Sequence, residues 1–293
     1  MDGDRQRPSC RPPTLVPAGA YGLHLPDLVD AADLLVEAPE QWMKWQIVLA
    51  TGSGSPTEFV ERSRARTCSV PTGWVDIDLS TRTSTMHFPQ EPPHAHIVHP
   101  FLGSTAVVVA HWRGLQSFHA GAFVTDHGAW AILGYKGAGK SSMLAALSSM
   151  GVPILTDDVL VIGEEMQGFA GPRCIDLRSE TASMLSLGAD LGVVGGRERW
   201  RLQLDPIAVE LPLAGWICLD WGEPAILAVP AHERISALYQ SIALRVEQHD
   251  PGMLARLMDL LALPMVRVRR PRSIATLNET ATAVLSHVEH LRY

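Results

Sequence analysis

The chain of 293 residues is short of lysine and cysteine and has no long apolar run. Its four cysteines, Cys10, Cys68, Cys174 and Cys218, are scattered and form no C-x-x-C pair. That argues against a disulfide framework and predicts reduced thiols in a cytoplasmic protein. The longest apolar stretch, Thr105–His111, is strand-sized, far below the ~20 residues needed to cross a bilayer. The opening MDGDRQRPSCRPP lacks the apolar core of a signal peptide. Basic residues are outnumbered, 24 Lys and Arg against 31 Asp and Glu, for a net charge of −7. A nucleic-acid footprint is therefore not expected. With 46% apolar and 19% charged residues the composition is that of a globular protein large enough to bury a core. Only Lys44, Lys136 and Lys140 are lysines. Coding bias accounts for the shortage, and it makes a lysine-requiring motif harder to meet by accident.

Residues 1–20 are proline-rich and aperiodic and are expected to form a flexible tail. Residues 21–95 are expected to form a small β-rich unit. It would contain a strand at Trp45–Ala50 and a hairpin from Trp74–Leu79 and Arg82–Phe88, after a short helix or strand approach over Leu28–Glu40. Pro89–Pro93 reads as a linker. From residue 96 to 293 the pattern is α/β with a mixed sheet. Thr105–His111 is a buried strand or a helix turn. Asp126-His127-Gly128 marks a hairpin turn between Phe118–Val124 and Trp130–Leu133. Ser141–Met150 is a helix closed by Gly151 and Pro153. Strands are expected at Ile154–Leu155, Val159–Ile162, Arg201–Leu204 and Trp216–Leu219, and helices at Ser236–Glu247, Met253–Leu261 and Glu279–Leu291.

One segment carries chemistry. Gly134-Tyr135-Lys136-Gly137-Ala138-Gly139-Lys140-Ser141 matches G-x-x-x-x-G-K-[ST], the phosphate-binding loop, and Ser142 follows it. Glycines let the backbone curl so that successive N–H groups face phosphate oxygens, and the helix that follows presents its positive end to the same anion. Lys140 would reach the β- and γ-phosphates and Ser141 would ligate Mg²⁺. An apolar strand enters the loop and a helix leaves it. Lys136 is either a second charge near phosphate or a solvated loop residue. Asp157-Asp158 lies one helix and one strand further on, where one carboxylate can hold Mg²⁺ and the other can accept a proton from a hydroxyl. His119 is placed on the strand before the loop strand, as a packed core residue or beside the nucleotide.

Together these elements resemble the kinase domain of HPr kinase/phosphorylase and its relatives. His119 lies 15 residues before Gly134 and Asp157 lies 23 after it, the spacing of that family. The resemblance covers His96–Ile162 well. It extends weakly through Gly171–Leu177 and Glu198–Leu204, where relatives carry a proline-containing strand and a basic strand. It implies an ATP- and Mg²⁺-dependent transfer of the γ-phosphoryl group to a hydroxyl. Asp157 would be the base and Asp158 the metal-site residue beside Ser141, with the two aspartates interchangeable. His119 would lie near the γ-phosphate, with Arg199 or Arg201 on the transferring group. The chain departs from the family at Val152-Pro153, where members carry a His-Arg pair, and it has no copy of their long glycine-rich signature. The resemblance therefore points to the stand-alone kinases that act on a serine of a peptide or protein. A small-molecule hydroxyl kinase and an inactive nucleotide-binding regulator are the alternatives. Expected partners are the hydroxyl acceptor and, with the oligomeric state open, a second copy of the chain; no nucleic acid and no membrane are expected.

Three weaker candidates complete the reading. His94, His96 and His99 have alternating spacing suited to a metal, but the run is Pro-rich and is read as linker. Trp42 and Trp45 are expected in the core of the first unit. Arg267–Arg272 is a basic patch, read as solvated surface.

Overall fold

Gly128–Leu133 is the strand on which the architecture turns. All six of its residues are buried, as expected of a strand covered on both faces. Its alternation divides two cores. Ala129, Ala131 and Leu133 join one apolar cluster, and Trp130 and Ile132 join the other. In the computed structural model, which describes residues 17–70, 73–245 and 251–291, this strand lies inside a nine-stranded mixed sheet. Gly121–Thr125 pairs with it antiparallel through the hairpin at Asp126-His127, and Glu210–Trp221 pairs with it parallel. Beyond Gly121–Thr125 lies Ile154–Thr156. Beyond Glu210–Trp221 lies Met265–Arg270, also parallel. Helices Lys140–Ser149 and Leu277–His290 fill the Trp130 side with Met143, Leu144, Leu147, Val284 and Val288. A separate three-stranded sheet, Cys174–Leu177, Arg197–Gln203 and Ala189–Val194, stands beside the large one.

Five strands between residues 46 and 88 form a sheet in which Gly73–Asp78 and Thr83–Phe88 alternate strictly between buried and half-exposed positions, the pattern of a sheet with one face on a core. That face packs on helix Leu102–Trp112. Trp45 Nε1 donates to Ser84 Oγ at 2.9 Å, and Thr105 Oγ1 donates to the same oxygen at 3.0 Å. Val75, Ile77, Met86 and Val108 share one apolar cluster with the Ala131 face of the large sheet. Trp42 and Trp45 are buried, as expected.

Several elements differ from the sequence expectation. Thr105–His111 lies inside the helix Leu102–Trp112. The expected linker at His94–His99 is helical over its first residues, and His99, buried with extended backbone, interrupts it. The helix expected at Ser236–Glu247 runs from Ala231 to Ser241, because Pro230 sets its start. Ile242 then turns extended and bridges to Phe118. The stretch Leu28–Glu40 holds a short 3₁₀ turn at Val29–Leu34. Of the expected tail, residues 1–16 lie outside the described residues, and Ala18–Ala20 is a strand. Among the described residues no helix is long and apolar enough to cross a membrane.

Candidate active site

The loop after Leu133 follows from its glycines. Gly139 sits at φ +87°, a backbone region L side chains rarely adopt, and a Cβ there would collide with the Arg270 guanidinium. Lys140 opens the helix. Its ammonium donates to the Gly134 carbonyl at 2.7 Å, so the charge is held at the mouth of the loop. Burial pulls the Lys140 pKa down, and the nearby Asp158 and Asp157 oppose that. Arg270 braces the loop from below. It is 3% exposed, its guanidinium carbon lies 4.1 Å from the Trp221 ring centroid, and it donates to Ala138 O at 3.4 Å. Tyr135 and Lys136 are on the exposed side of the loop. Ser142 turns its hydroxyl away, to within 3.2 Å of Thr181 Oγ1.

The aspartate pair follows the strand Ile154–Thr156. Asp157 is 3% exposed, and Ser141 Oγ donates to its Oδ1 at 3.0 Å. Burial, helped by the charge of Asp158 and opposed by the Ser141 hydrogen bond, pushes the Asp157 carboxyl up to about 7. Asp158 is exposed and stands at φ +70°. The Val159 N–H reaches back to Asp157 O at 2.9 Å, so Asp158 is the apex of a three-residue turn. Such strained apices persist where the surrounding structure imposes them. The geometry thus joins Asp157 to the loop serine and presents Asp158 to the open side.

The two arginines separate. Arg199 lines the same cleft as Lys140 and Asp158, although only 5% exposed. It donates to Val194 O at 2.9 Å and to Asp176 Oδ2 at 3.2 Å. Arg201 points inward. It donates to Asp176 Oδ1 at 2.8 Å and to the carbonyls of Ala95 and His99 at 2.7 and 2.6 Å, so it ties the His94–Phe101 segment down. Burial works against ionising Asp176, but the hydrogen bonds from Arg201 and the charges of His99, Arg201 and Arg199 hold its carboxyl below the usual range. His99 Nε2 lies 3.7 Å from that carboxylate. Of the histidine run, His99 is therefore part of a buried ionic cluster, while His94 and His96 are half-exposed. Among the described residues no three His, Cys, Asp or Glu side chains gather as a metal site. His119 is not on a strand. It occupies the bend between Gln116–Phe118 and Gly121–Thr125, is exposed, and lines the cleft with its N–H bonded to Ser241 O at 2.7 Å. The packed-core reading of His119 is excluded.

The cleft measures about 1270 Å³. Its walls carry six Lys and Arg (Lys136, Lys140, Arg197, Arg199, Arg245, Arg267) against three acids, Asp158, Asp220 and Glu233. In a chain of net charge −7 this local excess of basic side chains favours an anion over a cation in the cleft. Arg197 and Arg245 are not among the residues expected from the sequence. Arg197 had a signal: it stands two positions before Arg199 on one strand, hence on the same face. Arg245 had none. Magnesium keeps most of its waters and takes one or two carboxylates plus substrate phosphates, so the hard oxygens of Ser141, Asp157 and Asp158 beside a basic phosphate loop fit a metal–nucleotide without a dedicated protein cage.

No protein-family model matches the chain, and no curated protein matches it. Among solved structures the chain is similar to an HPr(Ser) kinase/phosphatase from Coxiella burnetii. The identity is 17%, the coverage is 59% of this chain and 95% of that one, and the TM-score is 0.29.

Proposed function

We propose that this protein is an ATP- and Mg²⁺-dependent kinase that transfers the γ-phosphoryl group to a hydroxyl, in the first instance a serine of a peptide or protein. The observation that carries the reading is the 3.0 Å hydrogen bond from Ser141 Oγ to Asp157 Oδ1. It joins a phosphate loop to an acidic turn whose second carboxylate, Asp158, faces the same cleft. Residues 96–293 are the transfer unit in this reading, with residues 21–95 packed on it. Bound Mg²⁺ would neutralise phosphate charge, held through Ser141 and Asp157. Lys140 and the loop amides bind the phosphates, Arg199 and His119 offer positive charge or hydrogen bonds on the opposite wall, and Asp158 orients the acceptor hydroxyl and takes its proton. Such a transfer rests on positioning and electrostatics. The cleft supports a polypeptide acceptor, because it is larger than the ~300–1,000 Å³ usual for a small-molecule site and so has room for a nucleotide and a segment of chain.

The test is transfer of the γ-phosphoryl label from ATP to serine-containing peptides and, in parallel, to a panel of small alcohols, with Lys140→Ala as control. Mg²⁺-dependent label on a peptide serine, lost in Lys140→Ala, supports the reading. Label on small alcohols alone would replace the acceptor, and nucleotide binding with no transfer to either would leave only a binder.

A further inference from the structure

Arg270 occupies a position that belongs to the core. On the strand Met265–Arg270 the side chains of Val266 and Val268 enter the apolar cluster that holds Trp130, and alternation puts Arg270 on the same face. It is 3% exposed, so the basic patch expected as solvated surface over Arg267–Arg272 is not solvated at this residue. Its neighbours behave as such a patch does. Arg267 pairs with Glu233 at 2.8 Å, and Arg269 and Arg272 are exposed.

The surroundings work against the Arg270 charge. Among the described residues no carboxylate pairs with it, and its Nε, though buried, has no hydrogen-bond partner. Burial pulls its pKa down to about 10, so the side chain still carries its charge at neutral pH. It shares the Trp221 ring with the exposed Arg272, whose guanidinium carbon lies 5.6 Å from the same centroid. It lies against Gly139, the residue that precedes helix Lys140–Ser149, and the N-terminus of a helix is its positive end. A buried, unpaired cation in such a place destabilises a protein unless an anion comes to it. Its hydrogen bond goes to the phosphate loop, where Nη2 donates to Ala138 O at 3.4 Å. A trans peptide sets its C=O and N–H on opposite sides. A carbonyl drawn toward Arg270 therefore turns the Gly139 N–H to the opposite side of the loop.

We propose that Arg270 is a positioning residue for the nucleotide: it sets the Ala138–Gly139 peptide and supplies, from beneath the loop, a positive charge that bound phosphate neutralises. This rests on the phosphate-loop reading above and does not depend on transfer. It explains why an arginine stands where the strand alternation calls for an apolar side chain.

The test uses the full chain, with binding as its readout. Arg270→Met keeps an unbranched stem on Trp221 and removes the charge. Calorimetry should show the Kd for Mg²⁺–ATP raised roughly 10- to 100-fold, the weight of one charge at short range in a partly buried site. The melting temperature without ligand should equal or exceed that of the wild type, because an unpaired buried charge is gone. Inorganic tripolyphosphate should lose affinity by the same factor, since the charge acts on phosphate and not on the base. Arg270→Lys keeps a point charge and should bind within about fivefold of the wild type. Arg272→Met, at an exposed and screened position, should bind within about twofold. An unchanged Kd in Arg270→Met would overturn the inference, as would an Arg270→Lys that binds as weakly as Arg270→Met. A lower melting temperature in Arg270→Met, or a chain that does not fold, would also overturn it and leave Arg270 as packing. A wild type that binds ATP but transfers to no hydroxyl would overturn the kinase reading alone. A wild type that binds neither ATP nor tripolyphosphate would overturn the phosphate-loop reading and this role with it.

Discussion

Replacing Asp157 by Asn should make the protein more stable and less active at once. Asn keeps the size of the side chain and an oxygen for the Ser141 hydroxyl to donate to, but it cannot ionise. In the folded protein the carboxyl titrates near 7 instead of the ordinary 3.8, because it is buried and faces Asp158. Between these values the unfolded chain has released the proton and the folded chain has not. Folding therefore takes up a proton, and stability falls as the pH rises from about 4 to about 7, then levels off. Integrating over that window, the wild type should lose about 3 kcal/mol between pH 5 and pH 9 through this one group. The Asn variant should lose none of it. Urea unfolding of both proteins at a series of pH values isolates the effect, since every other titrating group cancels in the difference. The gap should widen with pH in favour of Asn and reach its full size above pH 8. Mg²⁺-dependent transfer should collapse in the same variant, because an ionised oxygen beside Ser141 is what a metal would use. A residue that merely closes a turn predicts the opposite pairing, lower stability with activity retained. Parallel pH curves for the two proteins would refute the argument that Asp157 is held protonated by burial.

Three other variants read other parts of the site. His119→Ala should slow transfer while shifting stability by less than about 0.5 kcal/mol, because the side chain is exposed on the cleft wall; initial rates beside melting curves decide it. Gly139→Ala should cost about 1–2 kcal/mol for the left-handed backbone and, by displacing Arg270 from beneath the loop, should abolish nucleotide binding measured by calorimetry. Asp176→Asn leaves the buried Arg199 and Arg201 without their shared carboxylate and should destabilise by about 3–5 kcal/mol, read as the urea midpoint.

What could be read from the sequence, and what could not, divides along the range of the interactions. The strand–loop–helix around Gly134–Lys140 is legible because its instructions are local: glycines where the backbone needs them, a lysine at the helix start, a buried strand before and a glycine stop at 151 after. The hairpin at Asp126-His127-Gly128 is legible for the same reason. Thr105–His111 was ambiguous because its β-branched run suits a strand. It folds as helix since Ala106, Val107, Val108, Val109 and Ala110 are all buried there between the first sheet and the large one, and tertiary burial of that extent outweighs a propensity of a few tenths of a kcal/mol per residue. The position of Asp157 and Asp158 followed from spacing, but the division of their roles did not. It depends on Ser141, sixteen residues back, and on a left-handed apex that no local residue type announces. Arg199 and Arg201 show the limit most clearly. Standing two apart on one strand they share a face, so alternation treats them alike. Asp176, on the neighbouring strand and more than twenty residues away, and the carbonyls of Ala95 and His99, about a hundred residues away, hold one of them inward. Only Arg199 is left for the cleft. Any reading confined to the strand would have had to choose between them without grounds, because the groups that decide the choice belong to other segments of the chain.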